Sequence, residues 1–155
     1  MSDPNSPFII HNSFSFWFCR TAAELQDKHN KLFKAHDISW PQWLVLYSIH
    51  SQSAKTPAEV ADQVGVDRSA VTRLLDRLEK KQLINREHDK LDRRSIKLAL
   101  TVSGKRLMPD LIKLAKECEE EVFKGVPSTE RRAFKNNLKK VMQALEIENI
   151  SKWIS

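Results

Sequence analysis

The sequence predicts a mainly α-helical fold in which a helix-turn-helix and a β-hairpin are flanked by long N- and C-terminal helices. Apolar residues recur at helical spacing over most of the 155 residues. Between residues 56 and 80, a capped short helix is joined through Gly65 to a longer basic helix. Directly afterwards, residues 83–100 change to the alternating pattern of two short strands. Together these observations predict a winged helix-turn-helix.

Length and composition favour a single globular domain with a polyanionic partner. A chain of 155 residues with 41% hydrophobic residues can bury its own core. The formal net charge of +6 favours nucleic acid or an acidic membrane surface as a partner. No apolar run approaches the ~20 residues that cross a bilayer, and the first residues do not resemble a secretory signal. We therefore expect a cytoplasmic protein.

The long segments at the two ends of the chain predict a dimer. The N-terminal helix is apolar on more than one side, since Phe16 and Trp17 lie off its main apolar stripe. A helix that is exposed to water on one face does not need a second apolar side, so another subunit is expected there. Within one domain over residues 1–155, we expect a winged unit at about 56–101 and dimerisation helices at about 8–36 and 102–154.

The helix after the N-terminal segment is expected to begin at Ser39, which would cap it. Pro41 falls early enough in this helix to be tolerated. Closely spaced apolar side chains then predict a deeply buried helix; they belong to Trp43, Leu44, Leu46, Tyr47 and Ile49.

The first helix of the helix-turn-helix carries clear start and stop signals. Thr56–Glu59 combines a capping threonine, a proline at the first helical position and a glutamate that completes a capping box. Gly65 is expected to end the helix in a left-handed turn. The small side chains of Ala58 and Ala61 should allow close packing against the second helix.

The second helix of this pair has one apolar and one polar face. Asp67 is expected to cap its N-terminus. The predicted buried stripe comprises Val71, Leu74, Leu75 and Leu78. Guanidinium and hydroxyl groups on the other face can donate to base edges and phosphates. Candidate DNA-binding residues on this helix are Arg68, Ser69, Ala70, Thr72, Arg73 and Arg77. The simpler alternative is an ordinary solvated helix face.

The two predicted strands form a hairpin with a charged tip. Ile96, Leu98 and Leu100 lie on one face of the second strand. A hairpin beside a recognition helix can act as a wing, so Arg93 or Arg94 of the tip would contact phosphates or enter a narrowed minor groove. Asp92 is close enough in sequence to orient Arg94 through a charge-assisted bond. The alternative is a solvated loop.

No catalytic, metal or cofactor site is predicted. Cys19 and Cys118 follow no CxxC pattern, and their helical surroundings indicate buried, inert thiols. The histidines suggest no metal cluster, and no nucleophile elbow or phosphate loop gathers the reactive side chains. We therefore expect a binding protein and not an enzyme.

The chain resembles the MarR family of bacterial transcription regulators from Phe14 to about Leu145. The matching segments are ISWPQWLVL at residues 38–46, TPAEVADQVGVDRSAVTRLLDRLEKKQLINR at 56–86, the wing segment Asp92–Ser95, and Leu100–Thr101 followed by Gly104. Their order and spacing are more specific than any one of them.

The resemblance implies a homodimer that binds pseudo-palindromic operators, most often as a repressor. It implies that Arg73 and its neighbours read the major groove and that Arg94, steadied by Asp92, enters the minor groove. It also implies that a small aromatic or phenolic anion binds near Trp43 and Tyr47. The alternative is that Trp43 and Tyr47 are simply core residues.

Two departures from the family pattern bear on structure and function. Gln82 stands where such chains commonly have glycine, so the recognition helix is expected to end without a left-handed cap. Ser15 stands where peroxide-sensing relatives carry a reactive cysteine, and serine cannot form a sulfenic acid. A thiol-based redox sensor using Cys19, and a winged-helix module that binds another protein, remain the alternative functions.

Overall fold

The structure is a computed structural model that describes residues 9–88 and 95–147. Within these ranges it confirms a mainly α-helical winged helix-turn-helix with one antiparallel hairpin. Short 3₁₀ turns at Ile10–Asn12 and Lys34–His36 flank the first helix. The elements are α1 (Phe14–Phe33), α2 (Trp40–His50), α3 (Pro57–Val64), α4 (Arg68–Lys80), β1 (Ile84–His88), β2 (Ile96–Leu100), α5 (Val102–Val122) and α6 (Ser128–Ala144).

Local sequence signals begin and end the central helices as predicted. The Thr56 hydroxyl accepts from the Glu59 N–H at 3.3 Å, and the Glu59 carboxylate accepts from the Thr56 N–H at 3.0 Å. Ser39 caps α2 in the same reciprocal way. Gly65 ends α3 with φ 72°, a left-handed conformation that a residue without Cβ adopts cheaply. These caps fix where α2 and α3 begin and how the chain turns into α4.

Helix α2 lies at the centre of the molecule, where it contacts α1, α3, α4, α5 and β2. Val45 and Leu46 are fully buried, and Trp43 is 6% exposed. Tyr47 differs from our expectation, since 44% of its surface is exposed. It lines a cavity between α1, α2 and α5. Of the two alanines expected to allow close packing of α3 on α4, Ala61 is buried, whereas Ala58 is exposed beside Arg68 and Thr72 of α4.

The recognition helix and α5 are joined through a tight junction. The Thr101 hydroxyl donates to the Gln82 carbonyl at 2.6 Å, and the Thr101 N–H donates to the Leu83 carbonyl at 3.1 Å. Gly104, in the first turn of α5, packs directly against that Leu83 carbonyl. The prediction for Gln82 was wrong: its φ of 57° is left-handed, so α4 does end in a left-handed turn, although the residue is not glycine.

The long flanking helices leave much of their apolar surface uncovered in one chain. In α1 only Phe33 is fully buried, and α6 has no buried residue. The exposed fractions reach 80% for Phe14 and 67% for Leu145. None of the helices in the described ranges is both long enough and apolar enough to span a membrane.

Candidate nucleic-acid interface

Helix α4 has the two faces that its sequence predicts. On the inner face, Val71, Leu75 and Leu78 are at most 1% exposed and Leu74 is partly buried, so the helix is held firmly against the core. On the outer face five polar side chains are exposed, those of Arg68, Ser69, Thr72, Arg73 and Arg77. Ala70, the remaining candidate on this helix, is half-buried. Because the apolar face of α4 is buried, the polar side chains of the opposite face point away from the core.

The N-terminal end of α4 is organised by Asp67. Its carboxylate accepts from the Ser69 hydroxyl at 2.6 Å and from the Ala70 N–H at 2.8 Å. The Ser69 hydrogen bond, followed by that from the Ala70 N–H, holds the pKa of the Asp67 carboxyl below its ordinary value of 3.8. The guanidinium of Arg73 donates to the Ser69 hydroxyl at 3.5 Å. One capping carboxylate thus positions the first hydroxyl, which in turn contacts the candidate base-reading arginine.

The other exposed groups keep hydrogen-bonding capacity for a ligand. The Thr72 hydroxyl donates to the Arg68 carbonyl at 2.9 Å, so its oxygen remains available as an acceptor. Neither Arg68 nor Arg77 is paired with a carboxylate among the residues that the structure describes. Unpaired guanidinium groups that project from a rigid helix can meet phosphate or base acceptors with little reorganisation.

Arg86 on β1 is a structural residue of this surface that the sequence analysis missed. Its guanidinium contacts the Asp76 carboxylate at 2.5 Å, the Glu79 carboxylate at 3.6 Å and the Thr72 carbonyl at 3.4 Å. Arg86 is half-buried, and it ties the base of the hairpin to the middle of α4. The only available signal was its register, which places it with Ile84 on the face of β1 that turns towards the core.

The three candidate wing residues lie outside the described part of the chain. Asp92, Arg93 and Arg94 belong to the tip between β1 and β2. The strands that carry this tip form the predicted hairpin, and in the structure Ile84 lies opposite Leu100 and His88 opposite Ile96. Leu98 and Leu100 are buried and Ile96 is partly buried, so the inner face of the hairpin is confirmed. The roles of the three tip residues remain predictions.

The two candidate effector residues line one cavity between α1, α2 and α5. The cavity has a volume of about 450 Å³ and a mainly apolar wall. Trp43 forms its buried side, and the half-exposed Tyr47 lies with its ring centroid 5.1 Å from that of Trp43. Lys116 and Glu119 supply the charged groups of the wall. Trp43 therefore belongs both to the core and to the cavity wall, whereas Tyr47 lines the cavity from its exposed side.

The two cysteines differ in environment, which corrects the expectation that both are buried. Cys118 is 1% exposed, and burial raises the pKa of its thiol above the ordinary value of 9.0. Cys19 is exposed on α1. The neighbouring Arg20 guanidinium is bonded to the Glu24 carboxylate at 2.6 Å. The one basic group adjacent to Cys19 in sequence is thus already paired, and it does not create the electropositive surroundings of a reactive thiol.

A helix-turn-helix with a polar outer face, followed directly by a hairpin, defines a winged helix-turn-helix protein with a recognition helix. The model of the MarR family matches residues 38–96, which include α2, the helix-turn-helix and the first strand of the hairpin. Over this segment the chain is similar to the MarR family of transcriptional regulators.

Two curated relatives match over most of the chain. The transcriptional regulator SarZ of Staphylococcus haemolyticus is 27% identical over 135 residues, 86% of this chain and 89% of SarZ. The transcriptional repressor MprA of Escherichia coli is 26% identical over 126 residues, 80% of this chain and 72% of MprA. The similarity therefore extends beyond the helix-turn-helix into the flanking helices.

Solved structures show the same fold. The S. aureus MepR–DNA complex superposes with a TM-score of 0.80 at 26% identity, over 85% of this chain and 98% of MepR. BpsR of Bordetella bronchiseptica, whose DNA binding is regulated by 6-hydroxynicotinic acid, superposes with a TM-score of 0.81 at 22% identity. The superposition covers 88% of this chain and 97% of BpsR. MepR, whose structure has been solved with DNA bound, thus shares the architecture of this chain.

Proposed function

We propose that this protein is a homodimeric, sequence-specific double-stranded-DNA-binding repressor of a pseudo-palindromic operator. The observation that carries the proposal is the fixed outer face of α4. Its inner stripe is buried, so the guanidinium of Arg73 and the hydroxyl of Thr72 project outward from a rigid element. A rigid helix with these donors and acceptors suits the major groove, which presents a distinct pattern for each base pair.

The uncovered faces of α1 and α6 support the dimer. Burial of exposed side chains such as Phe14, Phe134 and Leu145 in a second copy would remove apolar surface from water. A two-fold dimer with its recognition helices about 34 Å apart would meet successive turns of one face of the duplex. Such a dimer would bind a palindromic operator and block access of polymerase to it.

Base reading is proposed for Arg73, with Thr72, Arg68 and Ser69 as neighbours. A bidentate arginine–guanine pair discriminates against a wrong base by about 1–3 kcal/mol. The Arg73 guanidinium lies 3.5 Å from the Ser69 hydroxyl, so the two groups are neighbours on the outer face of α4. Arg77 is proposed to contact phosphate.

The wing is proposed to add groove and phosphate contacts through Arg93 and Arg94, with Asp92 orienting Arg94. This proposal rests on the sequence and on the family resemblance, because the three residues lie outside the described ranges. It implies a steep salt dependence, with a log–log slope of about −0.9 for each phosphate contact.

Selection of bound duplexes from a random library tests the whole proposal. We expect a recovered palindrome whose half-sites are separated by about one helical turn. Arg73→Ala should then reduce discrimination between the selected and a scrambled duplex by about 1–3 kcal/mol. Arg132→Ala, which removes an exposed arginine of α6, is the matched control and should preserve discrimination. Recovery of no preferred sequence would refute sequence-specific binding, and full discrimination by Arg73→Ala would refute our choice of base reader.

A second proposal concerns regulation, and it is favoured by the cavity at Trp43 and Tyr47. A volume of about 450 Å³ admits a small aromatic molecule, and Lys116 at its wall can pair with a carboxylate or phenolate. Because the cavity lies between α1, α2 and α5, a bound ligand would favour one packing of these helices. A packing with the wrong spacing of recognition helices would release DNA.

Titration with salicylate-like aromatic acids, followed by release of a labelled operator, tests this regulation. Ala115→Phe places a large side chain in the cavity wall and should keep DNA binding while abolishing release. The Lys116→Gln variant should require a higher ligand concentration for the same release of DNA. Release that persists in Ala115→Phe would place the effector site elsewhere. If no compound of a broad panel releases the wild-type protein from DNA, the regulatory proposal is refuted, and Trp43 is a core residue beside a partly exposed Tyr47.

A further inference from the structure

A basic groove lies beside the C-terminal half of α4, outside the part of the surface assigned above to base reading. The groove has a volume of about 610 Å³ and is formed where α4 meets the end of α1 and the start of α2. Its four cationic side chains come from two elements of the chain that are far apart in sequence. They are Lys34, Arg77, Lys80 and Lys81.

Three of the four cations have no acidic partner among the described residues. Lys81 is neutralised, since its ammonium group donates to the Asp37 carbonyl and lies 3.0 Å from the Asp37 carboxylate. Lys34, Arg77 and Lys80 form no ion pair with any described carboxylate. Like charges that line one cleft repel each other and raise the local positive potential. An anion that enters the groove relieves this electrostatic repulsion.

Helix ends alone do not account for the cluster. Cations in the last turn of a helix are favoured by the helix dipole, and both Lys34 and Lys80 lie near helix C-termini. Arg77 also lies in the last turn of α4, but its side chain lies on the outer face of the helix together with Arg73. The dipole therefore explains single lysines, and it does not explain why the cations of two helices meet across a groove.

The groove is continuous with the proposed DNA-binding face. Arg73, Arg77 and Lys80 follow each other at four- and three-residue steps, so they lie along one line on α4. Lys34 stands on the opposite wall, in the 3₁₀ turn that follows α1. A polyanion that is bound at Arg73 and extends along this line would reach the groove without leaving the protein surface.

We propose that this groove binds backbone phosphates of the DNA that flanks the base pairs read by Arg73. The proposal rests on the proposed function, and it adds a contact surface formed by Lys34, Arg77 and Lys80. Ammonium groups bind phosphate as point charges and carry no base information, so the groove adds affinity without discrimination. The groove is lined by residues of both α1 and α4. DNA bound there therefore contacts the end of a dimerisation helix in addition to the recognition helix.

The test compares Lys34→Gln/Lys80→Gln with Lys113→Gln/Lys124→Gln, which removes the same charge from exposed lysines outside the groove. Binding to the selected duplex and to a scrambled duplex is measured over a range of salt concentrations. The groove variant should lose affinity equally for both duplexes. Its salt slope should fall by about 0.9 for each lost contact, or about 3.6 for two residues in each of two subunits.

Neutral methylphosphonate linkages locate the contact. Placed in the flanks of the selected duplex, they should weaken binding of the wild-type protein and have little further effect on the groove variant. A groove variant that loses no more affinity or salt slope than the control refutes the proposal, as does a loss confined to the selected duplex. If the groove variant has lower thermal stability but unchanged DNA binding, the two lysines only stabilise the C-terminal ends of their helices and the proposal is refuted. Failure of the wild-type protein to bind any duplex would instead refute the proposed function.

A further titration distinguishes DNA phosphates from a small free anion as the ligand of the groove. Inorganic pyrophosphate is titrated into the wild-type protein and the groove variant, and thermal unfolding is followed. If pyrophosphate stabilises only the wild-type protein, and the neutral linkages have no effect on DNA binding, the groove is a small-anion site and our assignment to DNA is wrong.

Discussion

Replacement of Gly104 by alanine tests the junction between the recognition helix and α5. A Cβ at this position would lie 2.1 Å from the Leu83 carbonyl oxygen and 3.1 Å from its carbon, well inside contact distance. The obstacle is backbone, and the same carbonyl accepts from the Thr101 N–H at 3.1 Å. The side chain can therefore be accommodated only if the end of α4 separates from the start of α5.

The expected cost follows from these contacts. Overpacking costs about 1–3 kcal/mol, and loss of the Thr101 hydrogen bond adds about 1 kcal/mol. The better helix propensity of alanine returns about 1 kcal/mol. The free energy of unfolding should therefore fall by about 1–3 kcal/mol, and a loss of 2 kcal/mol corresponds to a fall in Tm of about 4–8 °C for a chain of this size.

Gly125→Ala is the matched control, because no described atom apart from those of its chain neighbours lies within 4 Å of the added Cβ. Its free energy of unfolding should stay within about 0.5 kcal/mol of the wild-type value. Thermal and urea unfolding followed by circular dichroism, at one fixed protein concentration, measures all three proteins. Equal stability of Gly104→Ala and Gly125→Ala would refute the tight junction.

Three further predictions concern the ends of α4 and the core. Gln82→Gly should raise the free energy of unfolding by about 1 kcal/mol, because glycine adopts the observed φ of 57° without a Cβ penalty; a lower Tm would contradict this reasoning. The pKa of the Asp67 carboxyl is lowered in the folded state, so its carboxylate stabilises the fold above the ordinary value of 3.8, and this contribution is lost as pH falls through the folded pKa. An acid titration should therefore show a stability advantage over Asp67→Ala at neutral pH that disappears in strong acid, whereas a constant difference would argue against the cap. Cys118, whose thiol pKa is raised by burial, should be alkylated only when the protein unfolds; rapid labelling of the native chain by iodoacetamide, located by mass spectrometry, would count against this.

The sequence by itself determined the elements and their order. Capping depends on residues a few positions apart, so Thr56 with Glu59, and Asp67 with the Ala70 N–H, could be predicted without any tertiary information. The apolar stripe of α4 likewise fixed which of its residues would be exposed. For this reason the recognition-helix candidates were found on the outer face where the sequence predicts them.

Tertiary structure decided how those elements meet. Gln82 adopts a left-handed conformation although glycine is absent, since Leu83 must enter the core and its carbonyl must accept from Thr101. Arg86 of β1 contacts Asp76 of α4. Lys34, directly after α1, lines the groove beside α4. Pairings and grooves of this kind join residues that are distant in sequence. Their geometry follows from the packing of whole helices, for which no local pattern in the chain carries a signal.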